Sequence, residues 1–241
     1  MNSLPGLAQF DTLQLVALAA ALGWASGIRL YAIPFSTNVE RVALALGHKG
    51  VDAEVVMCDA ENRRPIREVS GQDLVPVLDD EGFIAVDSSR IIEHLEERFP
   101  DPPLLPAETA RRAEVRVFVD WFNRVWKVPP NRIEEELASD SPDHVLVEAL
   151  AAEMRASLTF FEEMLDGRDH LYGDDFGAAD CAAFPFLKYG LWLRDDDDER
   201  FHRILAEHLS LDGRYPRIED WLRRVDERPR VAGVIVHPAH G

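Results

Sequence analysis

Cysteine is almost missing from this 241-residue chain, with Cys58 and Cys181 the only two. Two cysteines build no disulfide framework, and this pair has no metal-ligand spacing, so an ordinary packed core and a reducing, cytoplasmic setting are expected. Lysine is nearly as scarce, confined to Lys49, Lys127 and Lys188, and arginine supplies the rest of the positive charge. Acidic residues outnumber basic ones by 44 to 26, and a net charge of −18 argues against nucleic acid or an anionic lipid surface as a partner. A long apolar run is lacking too. Leu13 to Gly27 comes nearest, but it is shorter than the ~20 residues a membrane span needs. No Lys or Arg precedes it, so it lacks the basic start of a secretory signal. Residues 1–27 are therefore read as an accessory apolar extension and not as a stable membrane anchor. The acidic run Asp195 to Glu199 has neither the turn glycine nor the spaced ligands of a calcium loop. It is expected to be a solvated loop, and no metal is expected.

What is present begins with a buried strand, Ile28 to Ile33, ended by Pro34. Thr37-Asn38-Val39-Glu40 has the form of a capping box, in which Thr37 and Glu40 would satisfy the first orphan amides of a helix. On that reading the neighbouring Ser36 hydroxyl has no structural task. Val39, Val42, Ala43 and Leu46 recur at helical spacing up to Gly47 and Gly50. A strand follows at Ala53 to Met57, then a polar stretch with room for one short helix. Val75 to Leu78 and Phe83 to Val86 form a hairpin across Asp79 to Gly82, and Ser88 to Phe99 is a helix. Pro100 to Pro106, with four prolines, can only be a semi-rigid linker. Beyond it the pattern is helical, with amphipathic stretches at Ala110 to Trp126, Val145 to Leu165, Ala178 to Trp192 and Ile218 to Val225.

Three short signals stand in order along the first part: Ser36 where a strand meets a helix, Val75-Pro76 before a strand, and Asp87-Ser88 before a helix. Asp87-Ser88-Ser89-Arg90-Ile91-Ile92-Glu93-His94-Leu95, then Phe99-Pro100 and Leu104-Leu105-Pro106, continue the set, and Phe176-Gly177-Ala178-Ala179-Asp180 opens a later helix. Taken together, the chain from about Ile28 to Arg230 resembles a cytosolic glutathione transferase of the serine type. The resemblance implies an α/β plus all-α architecture. A thioredoxin-like glutathione-binding domain would span 28–100, a linker 101–109 and an all-helical domain 110–241. It also implies a cytoplasmic homodimer with glutathione as co-substrate and a small apolar electrophile as its partner in reaction, as in detoxification.

On this resemblance Ser36 is the expected catalytic residue. A free thiol has a pKa of about 8.5 and is mostly protonated at neutral pH, so a hydroxyl donating to sulfur at a helix N-terminus shifts it toward thiolate. The competing reading of Ser36 is a plain helix cap. Val75 and Pro76 are expected to offer main-chain groups to the peptide backbone of the ligand, and Asp87 and Ser88 to hold its γ-glutamyl end. Gln72 and Arg64 are candidates for the glycyl carboxylate. Phe35, Trp121, Trp126 and Phe184 are candidates for an apolar electrophile pocket, with core packing as the alternative. Leu74 departs from the family pattern, which has Lys or Gln before the Val, and Gly177 replaces the usual Ser or Thr cap. Two other functions keep the same signals: a non-catalytic binding or interaction protein, and a glutathione-dependent isomerase or dehalogenase.

Overall fold

The computed structural model describes residues 27–236. The expectation for the apolar extension therefore lies outside the described residues, apart from Gly27.

The first domain is a four-stranded sheet in the order β2-β1-β3-β4. β1 (Ile28–Ala32) sits inside it and is buried at every position but Arg29. β2 (Glu54–Met57) pairs parallel to β1. β3 (Val77–Asp80) and β4 (Phe83–Val86) form an antiparallel hairpin, and β3 runs antiparallel to β1. The hairpin turns through Glu81 and Gly82, both at positive φ. Three helices complete the domain: α1 (Thr37–Lys49), the short α2 (Arg64–Ser70) and α3 (Ser88–Arg98). α1 closes on Gly50 at φ 62, a left-handed conformation that glycine adopts without side-chain strain. This is a thioredoxin-like arrangement.

The second domain is helical: α4 (Thr109–Trp121), a π-helical turn at Phe122–Trp126, α5 (Val128–Leu137), α6 (His144–Met164), α7 (Ala178–Leu187), α8 (Arg200–His208) and α9 (Pro216–Asp226). All ten residues of α7 are buried, as befits a helix apolar on every side at the centre of a bundle. α1 packs directly on it, so the two domains share one core. The amphipathic reading marked neither α5 nor α8. α5 hides behind Pro129-Pro130, which look like a break but fall in a first turn, where the missing N–H costs nothing.

Two local expectations are corrected by the fold. The acidic run is not wholly solvated: Asp197 is buried and its carboxylate meets His202 Nδ1 at 2.9 Å, which holds the start of α8. The usual Ser or Thr cap has no room at Gly177. A Cβ there would lie 2.8 Å from the Leu104 carbonyl oxygen, which accepts from the Ala178 N–H at 2.8 Å, so the linker crosses too close for a side chain. Asp180 does the capping, accepting from the Gly177 N–H at 2.9 Å.

Candidate functional site

The site starts where β1 turns into α1. Phe35 takes φ 61, and its N–H donates to the Ile235 carbonyl at 2.8 Å, so the chain after α9 returns to fasten this turn. Ser36 is the N-cap of α1, and its Oγ accepts from the Val39 N–H at 3.3 Å. This corrects the capping assignment. Thr37 is buried inside the first turn, and Glu40 does not reach back to it. Glu40 is buried too, accepting from Lys188 Nζ at 2.5 Å and from Arg230 Nη2 at 2.8 Å. Two cations draw that carboxylate inward more strongly than one exposed amide could hold it at the surface. Capping engages only a lone pair of Ser36, however, and an accepting hydroxyl still has its hydrogen to donate.

Val75–Pro76 is a cis peptide beside the start of β3. Among the described residues nothing hydrogen-bonds to the Val75 main chain. Gln72 is spent on the loop itself: its amide donates to the Leu74 carbonyl at 2.7 Å and accepts from the Leu74 N–H at 2.6 Å. Arg64 pairs with Glu68 on the same exposed face at 2.7 Å. The structure thus gives both glycyl-carboxylate candidates other partners. Leu74 is 73% exposed and presents no polar group there.

Asp87 caps α3 from a positive φ of 72, its Oδ1 accepting from the N–H groups of Ser89 and Arg90. Asp87 itself is exposed, and no hydrogen bond to its second oxygen occurs among the described residues. Ser88 differs from expectation. It is buried, and its hydroxyl accepts from Arg41 Nη1 at 3.2 Å, so the side chain serves the interior and not the surface.

Arg41 is the residue that the sequence reading missed. It is fully buried between the domains, donating from Nε to the Ala182 carbonyl at 2.9 Å and from Nη1 to Asn123 Oδ1 at 2.7 Å. Its guanidinium lies over Phe186 at 4.7 Å, and Nη2 has no hydrogen-bond partner. Burial pushes its pKa down to about 9, with the Asp87 charge acting the other way. The available signal was a lone arginine at the head of the apolar run Val42 to Leu46. Asn123 also donates to Ser89 Oγ at 2.8 Å, which ties the helical domain to the start of α3. Lys127, just beyond the π-helical turn, reaches Asn38 Oδ1 at 3.1 Å.

A cavity of about 790 Å³ opens between α3 and α4, lined among others by Asp87, Ser89, Arg41, Val119, Asn123 and Ala182. Of the four aromatic pocket candidates, two belong to the core. Trp126 is buried, stacks on Phe122 at 4.3 Å and donates to Ser157 Oγ. Phe184 is fully buried edge-on to Trp221. Trp121 is half-buried against Phe118 and Phe160, and Phe35 keeps an exposed face. Tyr31, the other phenol near the turn, is buried beside Cys58 and Ile66. No helix among the described residues is long and apolar enough to cross a membrane, and no group of three metal-ligating side chains occurs among them.

Comparison with known proteins agrees with this architecture. The chain belongs to the glutathione S-transferase family: the family's N-terminal domain matches residues 30–103 and its C-terminal domain residues 145–224. Glutathione S-transferase GstB of Escherichia coli is 25% identical over 212 residues, covering 84% of this chain and 95% of the relative. A stringent starvation protein A homolog of Coxiella burnetii is 26% identical over 159 residues, 66% of this chain and 73% of that one. The crystal structure of a glutathione S-transferase from Rhodospirillum rubrum superposes with a TM-score of 0.65 at 28% identity, covering 84% of this chain and 89% of that one.

Proposed function

We propose that this chain is a cytoplasmic glutathione transferase of the serine type, which uses Ser36 to hold the thiol of glutathione as thiolate for attack on an apolar electrophile. The carrying observation is the state of Ser36: its lone pair caps α1 at Val39, and its O–H hydrogen is left to donate at the positive end of that helix. The thiol proton leaves to solvent. Sulfur then forms a bond to an electrophilic carbon, and the leaving group departs with its electron pair. The open main chain of Val75 suits the ligand's cysteinyl backbone as an added strand, and the second oxygen of Asp87 suits its ammonium. Phe35 and Trp121 are the aromatic groups left for the electrophile.

Retention on immobilised glutathione, read beside turnover of an aryl halide, tests this. Ser36→Ala is expected to keep binding within a few-fold while turnover falls about 100-fold, the usual effect of losing one preorganised donor. Asp87→Ala is expected to lose retention. Binding that survives both substitutions contradicts the site. Wild-type binding without turnover favours the non-catalytic reading. Turnover that leaves glutathione unconsumed favours the isomerase or dehalogenase.

Homodimerisation belongs to the same proposal. Val117 is 69% exposed on α4 and Val86 is exposed at the end of β4, and both border the α3–α4 cavity. Sedimentation is expected to give twice the 27.2 kDa chain mass, falling toward the monomer in Val117→Asp. A wild-type chain that sediments as a monomer overturns this part.

A further inference from the structure

We propose that Lys127 is the helical domain's contribution to the thiolate site: it carries positive charge across the domain boundary to the first turn of α1, beside the sulfur that Ser36 holds. The inference rests on the reading of Ser36 above and adds a group that this reading does not use.

The geometry is specific. Lys127 follows the π-helical turn Phe122–Trp126, where the backbone shifts register between α4 and α5. Such turns recur at functional sites. From there Nζ extends over the Phe186 ring, 4.9 Å from its centre, and donates to Asn38 Oδ1 at 3.1 Å. Asn38 is two residues past the Ser36 cap, in the turn whose amides would face a bound anion.

This is a poor place for a cation that has only structural work to do. Lys127 joins the end of the π-helical turn to the start of α5 and points to the N-terminal turn of α1, where the helix dipole is positive. Its hydrogen-bond partner is a neutral amide. The charged groups acting on it are Arg41 on α1, which repels it, and Asp87 before α3, which attracts it; Glu40 on α1 is engaged by Lys188 and Arg230. Burial, then Arg41, pushes the ammonium down to about 7. Arg41 Nη2, buried without a partner, leaves further donor capacity unspent in the same region. One buried cation, one half-buried cation and the N-terminus of α1 against one carboxylate are short of negative charge, and a thiolate supplies it. The coupling is mutual: the thiolate raises the Lys127 pKa by as much as the ammonium lowers that of the thiol.

The test is a pH titration of the thiolate ultraviolet absorbance of glutathione bound to the full chain, in wild type, Lys127→Met and Lys127→Arg. The bound thiol pKa is expected to rise by roughly one unit in Lys127→Met, the lower end of the effect of a close opposite charge, and to return most of the way in Lys127→Arg. kcat/KM should accordingly fall about tenfold well below that pKa and converge with wild type above it. A structural role alone would change stability and leave the thiol titration in place. Lys127→Gln, which keeps a donor to Asn38 without the charge, serves if Lys127→Met does not fold, and should behave like Met. A thiolate band in wild type that titrates identically in the uncharged variants overturns the role of Lys127 and leaves Ser36 standing. No thiolate band in wild type overturns both.

Discussion

Asp180→Ala is expected to lower the unfolding free energy by about 4 kcal/mol, a large share of the roughly 5–15 kcal/mol that keeps a protein folded. The carboxylate is buried, and three donors converge on it. Oδ2 accepts the Gly177 N–H that opens α7, while Oδ1 accepts the Leu171 N–H at 3.1 Å and the Trp221 Nε1–H at 2.7 Å. Alanine takes the acceptor from all three donors at once. Each buried donor left without a partner costs about 1–3 kcal/mol, and the small methyl group admits no ordered replacement for two oxygens. Asp180→Asn keeps the shape and is expected to lose about half as much, because one amide oxygen can still serve Leu171 and Trp221 while its NH₂ faces the Gly177 N–H. Urea unfolding followed by tryptophan fluorescence measures both, with Trp221 itself a reporter. A loss below about 1 kcal/mol for alanine would mean that water replaces the carboxylate, and that the start of α7 is less closed than its burial indicates.

The pattern in what the sequence disclosed follows the range of the interactions involved. Strands, turns and the first three helices come from neighbouring residues, and the short apolar run of β1 and the 3.6-residue period in α1 read directly. Asp180 was legible as a cap because the carboxylate and the amide it serves are three residues apart. What stayed hidden depends on partners far along the chain. Thr37 and Glu40 satisfy the local capping rule, yet Lys188 and Arg230 lie 148 and 190 residues from Glu40 and take its carboxylate away. Ser88 reads as a surface N-cap neighbour until Arg41 turns its hydroxyl inward. Trp126 and Phe184 were ambiguous for the same reason, since an aromatic on a buried face and one on a pocket wall have the same spacing. Ser36 and Asp87 stand where a strand turns into a helix, and Val75-Pro76 where the chain enters β3, so the main-chain geometry at each follows from its own local turn.

Glu40→Gln is expected to cost about 3–5 kcal/mol, the range for breaking a buried ion pair from one side, and to lower Tm by roughly 10 °C. Glu40 and Lys188 have side chains 2% and 4% exposed, so neither has bulk water to fall back on. The carboxylate takes Lys188 Nζ on Oε2, and Arg230 Nε and Nη2 on Oε1. One side chain thereby joins α1, the end of α7 and the segment after α9. A glutamine offers one acceptor where two were used, and its NH₂ group must face one of the two cations. Both cations then lose the negative charge that Glu40 supplied inside the protein, and most of the expected loss lies there. A double-mutant cycle measures the pair: Glu40→Gln combined with Lys188→Met removes both of its ends, and should be more stable than the sum of the single losses by about 1–3 kcal/mol. The same carboxylate also bears on the site at a distance. Arg230 anchors the stretch in which the Val231 N–H donates to the Ala43 carbonyl and the Ile235 carbonyl accepts from the Phe35 N–H. Loosening that stretch frees the turn before Ser36, so Glu40→Gln should raise the KM for glutathione even below its own melting transition. An unchanged KM in a destabilised Glu40→Gln would show that the Ser36 turn holds its shape without the returning chain.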